Sequence, residues 1–233
     1  MRIAEIYRSR QGEGFLAGTE SIFVRASGCN LRCWFCDTPF TSWQPEGNDL
    51  AVDDIVSQVL TWETEHVVLT GGEPMLFAEL VPLSQSLRAA GRHITIETAG
   101  TLYLPVACDL LSLSPKRANS VPSRERAGNW SARHARTMHQ PDVIARLIDE
   151  QLRAAGSYQV KFVIDSLDDC ADVETYLDEL PCIDRSRVLL MPQGNCDSEL
   201  DARATWLEPY CAAHGLAFCP RRHIHWYGPV RGT

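Results

Sequence analysis

No apolar run in the 233 residues approaches the roughly 20 needed to carry a helix across a bilayer, so no membrane partner is expected. The opening Met1-Arg2-Ile3-Ala4-Glu5-Ile6 lacks the apolar stretch of a secretory signal, and the expected compartment is the cytoplasm. Basic residues are short as well: 22 Lys and Arg face 30 Asp and Glu, a formal charge of −8. Neutralising phosphates needs clustered cations, so no nucleic-acid partner is expected and a small molecule is the better candidate. Repeats, low-complexity tracts and linkers are absent, which excludes collagen, coiled coil and disordered tail and leaves a single domain over residues 1–233. At this length roughly 70–75% of the unfolded surface can be buried, so a large core needs no disulfide or metal staple.

Cysteine, by contrast, is abundant. Nine are present, an odd number that a reducing compartment would not pair into disulfides. Cys108, Cys170, Cys182, Cys196, Cys211 and Cys219 are scattered and read as small buried hydrophobes. Cys29, Cys33 and Cys36 fall within eight residues and need another explanation.

Short β-branched runs alternate with amphipathic stretches. Residues 21–25, 66–70, 93–97, 109–113, 158–164 and 187–190 read as strands. Helical periodicity follows Asp53-Asp54 (Ile55, Val56, Val59, Leu60, Trp62), runs from Leu80 to Ala90, and recurs after Pro141, after Asp168-Asp169 and from about Glu199 to His214. That alternation is the pattern of a parallel sheet covered by helices. Six or seven units are too few for a closed eight-stranded barrel, so the expected fold is α/β, an incomplete, open parallel β/α barrel. Lys116 to Gln140, rich in Arg, Ser, Asn and His, breaks the rhythm and reads as a long functional or mobile loop.

The loop Cys29-Asn30-Leu31-Arg32-Cys33-Trp34-Phe35-Cys36 leaves the strand at 21–25 at its C-terminal end, where parallel α/β folds place ligands. A closed zinc site wants four ligands, usually as two Cys pairs, and no second pair exists. Three cysteines on a four-iron cluster leave one iron open for other chemistry. A zinc knuckle completed by a distant residue, or unliganded thiols, are the plainer alternatives. Phe35 would shield such a centre on one side.

Other motifs are weaker alone. Thr70-Gly71-Gly72-Glu73-Pro74 allows close backbone approach and sets a carboxylate where an ammonium group could meet it, or is a glycine turn leaving a strand. Ser114-Pro115-Lys116 offers a hydroxyl and a cation, or a solvated turn. Gln11-Gly12-Glu13-Gly14, read as preceding the first strand, offers polar ends to a flat heterocycle, or a turn. Arg25, four residues before Cys29, needs an acidic neighbour or a substrate carboxylate. Thr38 carries an oxygen suited, weakly, to a hard cation.

The spacing of three residues and then two, with an aromatic before the last cysteine, resembles the signature of the radical S-adenosylmethionine superfamily. With the motifs at 11–14, 37–38, 70–74, 97–101 and 114–116, and Lys161-Phe162-Val163, the chain resembles the 7-carboxy-7-deazaguanine synthase family over roughly two thirds of its length. The resemblance implies conversion of 6-carboxy-5,6,7,8-tetrahydropterin to 7-carboxy-7-deazaguanine with loss of ammonia, in queuosine and 7-deazapurine biosynthesis. It implies a [4Fe-4S] cluster on Cys29, Cys33 and Cys36, S-adenosyl-L-methionine held by Phe35, Asp37, Gly72, Glu73, Ser114, Pro115 and Lys116, and Mg²⁺ at Thr38. Arg10, Gln11, Gly12, Glu13, Arg25 and Thr70 would contact the pterin. Met191, Pro192, Gln193 and Gly194 stand where the family has a Gln-Pro pair and would complete the cofactor site. Arg10 replaces an apolar residue, and the ending Gly228-Pro229-Val230-Arg231-Gly232-Thr233 matches no motif. A homodimer and an electron donor such as flavodoxin or ferredoxin are further expectations. Competing readings are a glycyl-radical activase, another small enzyme of the superfamily, and a non-enzymatic zinc module.

Overall fold

A computed structural model describes residues 1–233. Its sheet has nine strands: β1 (Arg2–Arg10), β2 (Glu20–Ala26), β3 (Asn48–Asp49), β4 (His66–Gly71), β5 (His93–Thr98), β6 (Leu110–Leu113), β7 (Ser157–Ile164), β8 (Val188–Pro192) and β9 (Ala217–Phe218). They lie in the order β3-β1-β2-β4-β5-β6-β7-β8-β9. β2 and everything beyond it run parallel, while β1 is antiparallel to β2 and β3. The two edges do not pair, so the barrel is open, as the alternating pattern implies.

Helices α1 (Pro39–Ser42), α2 (Val52–Val59), α3 (Leu80–Ala89), α4 (Arg124–Ala127), α5 (Asn129–Thr137), α6 (Pro141–Arg153), α7 (Leu167–Glu179), α8 (Asp197–His214) and α9 (Arg222–Tyr227) complete the chain. The starts have local causes. Asp53 and Asp54 occupy the first turn of α2, where the helix dipole favours negative charge. Pro141 opens α6, where its missing N–H costs nothing. Ser166 and Asp169 form a reciprocal capping box on α7.

The parallel strands alternate between the two faces. Ile22, Val24, Val67, Leu69, Ile94, Ile96, Leu111, Leu113, Val160 and Phe162 point under the helices into one cluster of 36 buried residues. Their neighbours, Arg25, Thr70, Glu97, Ser112, Gln159 and Lys161, point to the other face. That face is the lumen of the open barrel, and it is polar.

Three expectations are corrected. Gln11-Gly12-Glu13-Gly14 does not precede the first strand but follows the nine-residue β1. The stretch from Lys116 to Gln140 is no loop: it holds a 3-10 turn at Ala118–Ser120, α4 and α5, and buries His134 completely. Of the six scattered cysteines, Cys108, Cys170, Cys211 and Cys219 are buried, but Cys182 and Cys196 are exposed. No helix is long and apolar enough to cross a membrane.

Candidate active site

The cysteine loop, the Gly71-Gly72-Glu73 turn, Ser114-Lys116 and residues 193–194 all leave C-terminal ends of parallel strands, so the sheet delivers them to one rim. Below that rim, a row of polar side chains crosses the lumen. Strand register sets Glu5 opposite Arg25, Arg25 beside Thr70, Glu97 beside Ser112 and Ser112 beside Gln159. Arg25 donates to Glu5 at 2.7 Å and to the Tyr7 hydroxyl at 2.7 Å. Thr70 donates to Glu97 at 2.9 Å, and Gln159 to Ser112 at 2.9 Å. Glu5 reaches this face because β1 bulges between Ile3 and Glu5, which turns the later residues over. The acidic neighbour of Arg25 is therefore Glu5.

Lys161, 4% exposed, joins the row from β7, donating to Glu97 at 2.9 Å and to Glu13 at 3.1 Å. Burial opposes its charge, but the two carboxylates prevail and hold its pKa above the ordinary value. Glu13 mirrors this: burial alone would raise its pKa, yet Lys161 and Arg221 hold it well below the carboxylate range.

Glu13 gets there because the loop after β1 folds back across the lumen to the far edge. Gly12 O accepts from Arg222 N–H (2.9 Å), Gly14 N–H meets Cys219 Sγ (3.2 Å), and Phe15 N–H donates to Gln159 Oε1 (2.7 Å). The two glycines are demanded by this contact. A Cβ on Gly12 would lie 2.5 Å from the His223 side chain, and one on Gly14 2.4 Å from Gln159 Nε2. Gln11 is buried and donates to Ser21 at 2.9 Å. Arg10 is exposed at the end of β1, its guanidinium over the Trp226 ring, away from the lumen row.

The three cysteines of the loop are free thiols. Burial pushes Cys29 and Cys33 up to about 12, with neighbouring cysteines of the loop adding to the rise, and burial with the Asp37 charge raises Cys36. Leu31 N–H points at Cys29 Sγ (3.4 Å), and the Ser42 hydroxyl lies 3.2 Å from Cys36 Sγ. No group of three or more His, Cys, Asp or Glu converges as a set for one metal ion. The donor set fits a wider multi-iron cluster, whose positive charge offsets buried thiolates and whose sulfur ligands accept such N–H and O–H bonds.

The loop is held from outside. Trp43 Nε1–H donates to Cys33 O at 3.0 Å, Trp34 N–H to Ser120 O at 3.2 Å, and Arg32 N–H to His134 Nδ1 at 2.9 Å. His134 Nε2 lies 2.9 Å from Ser120 Oγ, whose own hydroxyl donates to Arg117 O. Acceptance at Nδ1 places the ring proton on Nε2. Burial and the Lys116 charge push His134 down to about 4.

Glu73 departs from expectation. It is 0% exposed and spends both oxygens internally, accepting from Thr98 Oγ1 (2.7 Å), Met75 N–H (3.0 Å) and Ala99 N–H (2.9 Å). It braces the ends of β4 and β5 and presents no carboxylate to a ligand. Gly72 has no room for a side chain, a Cβ standing 2.3 Å from Gly28 O and 2.8 Å from Cys29 Cβ. Lys116 folds back on Ser114, 2.6 Å from its hydroxyl, and Pro115 beside it is buried. Asp37 is ion-paired with Arg221, which also donates to Glu13 at 3.2 Å and Gly194 O at 2.7 Å. Met191, Pro192, Gln193 and Gly194 are buried at the end of β8. Phe35 packs edge-on to Trp34, and Thr38 sits 3.9 Å from Cys36 Sγ.

Glu5, Tyr7, Gln159, Arg221 and His223 carried no signal as site residues. Each reaches the site across a non-local pairing, and the signal that pointed to charge inside the barrel was Arg25, a cation within a strand that demanded an anionic partner.

Residues 23–119 match the family model of the Radical SAM superfamily. The chain is 46% identical over 231 residues to the 7-carboxy-7-deazaguanine synthase of Rhodopirellula baltica, covering 99% of this chain and 88% of the relative. It is 42% identical over 232 residues to that of Halobacterium salinarum, covering 95% and 88%. The crystal structure of QueE from Escherichia coli shares the fold, with a TM-score of 0.68 at 24% identity over 95% of this chain and 94% of that one. Fold and matched region together define a radical S-adenosylmethionine protein with an open α/β barrel. Within that superfamily the chain belongs to the 7-carboxy-7-deazaguanine synthase family.

Proposed function

We propose that this protein, acting as one catalytic domain, converts 6-carboxy-5,6,7,8-tetrahydropterin to 7-carboxy-7-deazaguanine with loss of ammonia, a lyase step in queuosine and 7-deazapurine biosynthesis. One observation carries the reading to the residues: three free cysteines stand at the strand ends above a lumen lined by paired charges. Paired charge in a lumen stabilises the fold no more than apolar packing would, and its presence suits a polar ligand.

Cys29, Cys33 and Cys36 would hold a [4Fe-4S] cluster, which together with S-adenosylmethionine would supply the removal of hydrogen from carbon. The chain's own side chains do the rest. Arg25, whose planar fork suits a carboxylate, takes the substrate's carboxyl group, with Glu5 holding the guanidinium in place beforehand. Thr70, Gln11, the Gly12 backbone and Glu13 face the pterin's polar edge. Arg10 lies too far out for more than a backbone contact. Phe35, Asp37, the Gly72 backbone, Ser114, Pro115, Lys116 and the 191–194 turn line the S-adenosylmethionine side, with Glu73 as their brace. Thr38 is the candidate Mg²⁺ ligand. A homodimer in the cytoplasm, fed by flavodoxin or ferredoxin, completes the reading.

Anaerobic turnover with the carboxylated pterin, S-adenosylmethionine and dithionite tests it. About four irons per chain and formation of the deazaguanine are expected, with loss of S-adenosylmethionine cleavage in Cys33→Ala and a weakened Mg²⁺ dependence in Thr38→Ala. Stoichiometric zinc without sulfide, or no product from protein with a full cluster, would overturn it.

A further inference from the structure

The ending Gly228-Pro229-Val230-Arg231-Gly232-Thr233 matches no motif, yet one of its side chains reaches the charged row of the lumen. α9 follows β9 at one edge of the sheet, and the segment after it returns to β1, beside the opposite edge. There the Arg231 guanidinium is fully engaged. Its Nε donates to Glu5 Oε2 at 3.1 Å, Nη1 to Glu46 Oε2 at 2.9 Å and Nη2 to Ala4 O at 3.4 Å, and its central carbon lies 4.0 Å from the centre of the Phe40 ring.

Local features bring these partners to one place. The bulge between Ile3 and Glu5 turns Glu5 onto the lumen face. Gly47, at φ +106°, packs on that same stretch so closely that a Cβ would stand 2.1 Å from Ile3 O, which pins Glu46 beside the bulge. Phe40 belongs to α1, a few residues beyond the cysteine loop.

Both oxygens of Glu5 are thereby committed, Oε1 to Arg25 Nε at 2.7 Å and Oε2 to Arg231. Arg25 spends Nη2 on the Tyr7 hydroxyl, and its Nη1 makes no hydrogen bond. Arg25 and Glu5 by themselves form a neutral pair, so an incoming carboxylate would gain little from the guanidinium and would be repelled by Glu5 behind it. A second cation on Glu5 removes that repulsion. Folding has little use for the contact, because Arg231 is 45% and Glu46 57% exposed, and ion pairs in that setting add little stability.

The geometry points to Arg231 as a positioning residue for carboxylate recognition: by holding Glu5 Oε2 it fixes Glu5 and offsets its charge, leaving the free edge of Arg25 to bind the carboxyl group of the pterin. Arg231 acts through Glu5 and does not touch the substrate. This rests on the reading above in which Arg25 takes that carboxyl group.

The test uses anaerobically reconstituted holoprotein and two unreactive aromatic ligands, 6-carboxypterin and pterin without the carboxyl group, with Kd read by equilibrium dialysis. Arg231→Gln should weaken 6-carboxypterin about fivefold and leave pterin unchanged. Arg231→Lys should recover most of the loss, because it keeps the charge. In protein already carrying Glu5→Gln, Arg231→Gln should change neither Kd, since the carboxylate through which it acts is gone. A loss that persisted in the Glu5→Gln background would make Arg231 a direct ligand and overturn the positioning role. Equal losses for both pterins, the mark of a tail that only supports the fold, would overturn it too. So would a carboxylate preference that Arg25→Gln abolishes and Arg231→Gln leaves intact, although the role of Arg25 would then stand. Native protein that bound the two pterins equally would strike the role of Arg25 and this proposal together.

Discussion

Lys161 and Glu13 stand 148 positions apart in sequence and 3.1 Å apart in the lumen, joining β7 to the loop that follows β1. Lys161 also holds Glu97, so one buried ammonium satisfies two partly buried carboxylates. Replacing Lys161 with Met should leave Glu97 with only the Thr70 hydroxyl and Glu13 with only Arg221's guanidinium, and destabilise the protein by about 3 kcal/mol, against a much smaller loss in Lys161→Arg. Urea denaturation of the anaerobic holoprotein measures this. A near-neutral Met variant would mean that the carboxylates are better hydrated than their burial implies.

Arg221 touches both halves of the site, Asp37 beyond the last loop cysteine and Glu13 on the substrate side. Arg221→Gln should loosen their relative placement, and a small misplacement of reacting groups costs rate heavily. The expected signature is uncoupling: about tenfold fewer deazaguanine molecules per S-adenosylmethionine cleaved, with normal iron content. A proportional loss of both products would show that Arg221 serves only folding.

Glu73 separates a bracing role from a ligand contact. With its three donors all internal, Glu73→Gln should cost stability, about 1–2 kcal/mol from weakened hydrogen bonds, and S-adenosylmethionine affinity should follow only as the turn loosens. If affinity fell strongly while the denaturation midpoint stayed put, the carboxylate would have to face the ligand after all.

His134 makes stability pH-dependent with a definite sign. Its folded-state value lies near 4, below the ordinary value, so the unfolded chain takes up the proton first. Stability is then full above about pH 6.5 and declines as pH falls toward 4, by about 2 kcal/mol between pH 7 and pH 5. Protonation also removes the Nδ1 acceptor from Arg32 N–H. His134→Asn, which keeps an acceptor but does not titrate, should flatten that slope in denaturation curves at the two pH values.

Arg25 tests the substrate carboxylate. Arg25→Gln should raise the KM for the carboxylated pterin at least tenfold, since a charge-assisted fork is exchanged for a neutral amide. Steady-state kinetics at saturating S-adenosylmethionine decide it; an unchanged KM would leave Arg25 as the partner of Glu5 alone.

Much of the fold was readable along the chain because its signals are local. The six parallel strands from 20 to 192 were legible as β-branched runs, and the long helices through periodicity and their first-turn acids. β1 was not, since its bulge at Ala4 breaks the two-residue alternation on which strand recognition depends. α4 and α5 were hidden by polarity: they cover a loop more than a core, and only His134 among their side chains is buried. Most candidate site residues were legible as motifs on strand ends, because a parallel sheet sends every such end to one rim.

By itself, then, the sequence determined the three-cysteine loop, the glycine turn and the parallel α/β alternation, all set by spacing within a few residues. Only the tertiary structure decided what the charges do. It turned Glu5 toward Arg25 through a bulge, folded Glu13 across the lumen to Lys161 and Arg221, drew Glu73 inward, and set His134 behind the cysteine loop. Those outcomes depend on pairings between residues far apart in the chain, and the energy of a charge depends on which partner the fold brings within reach and how much water it removes.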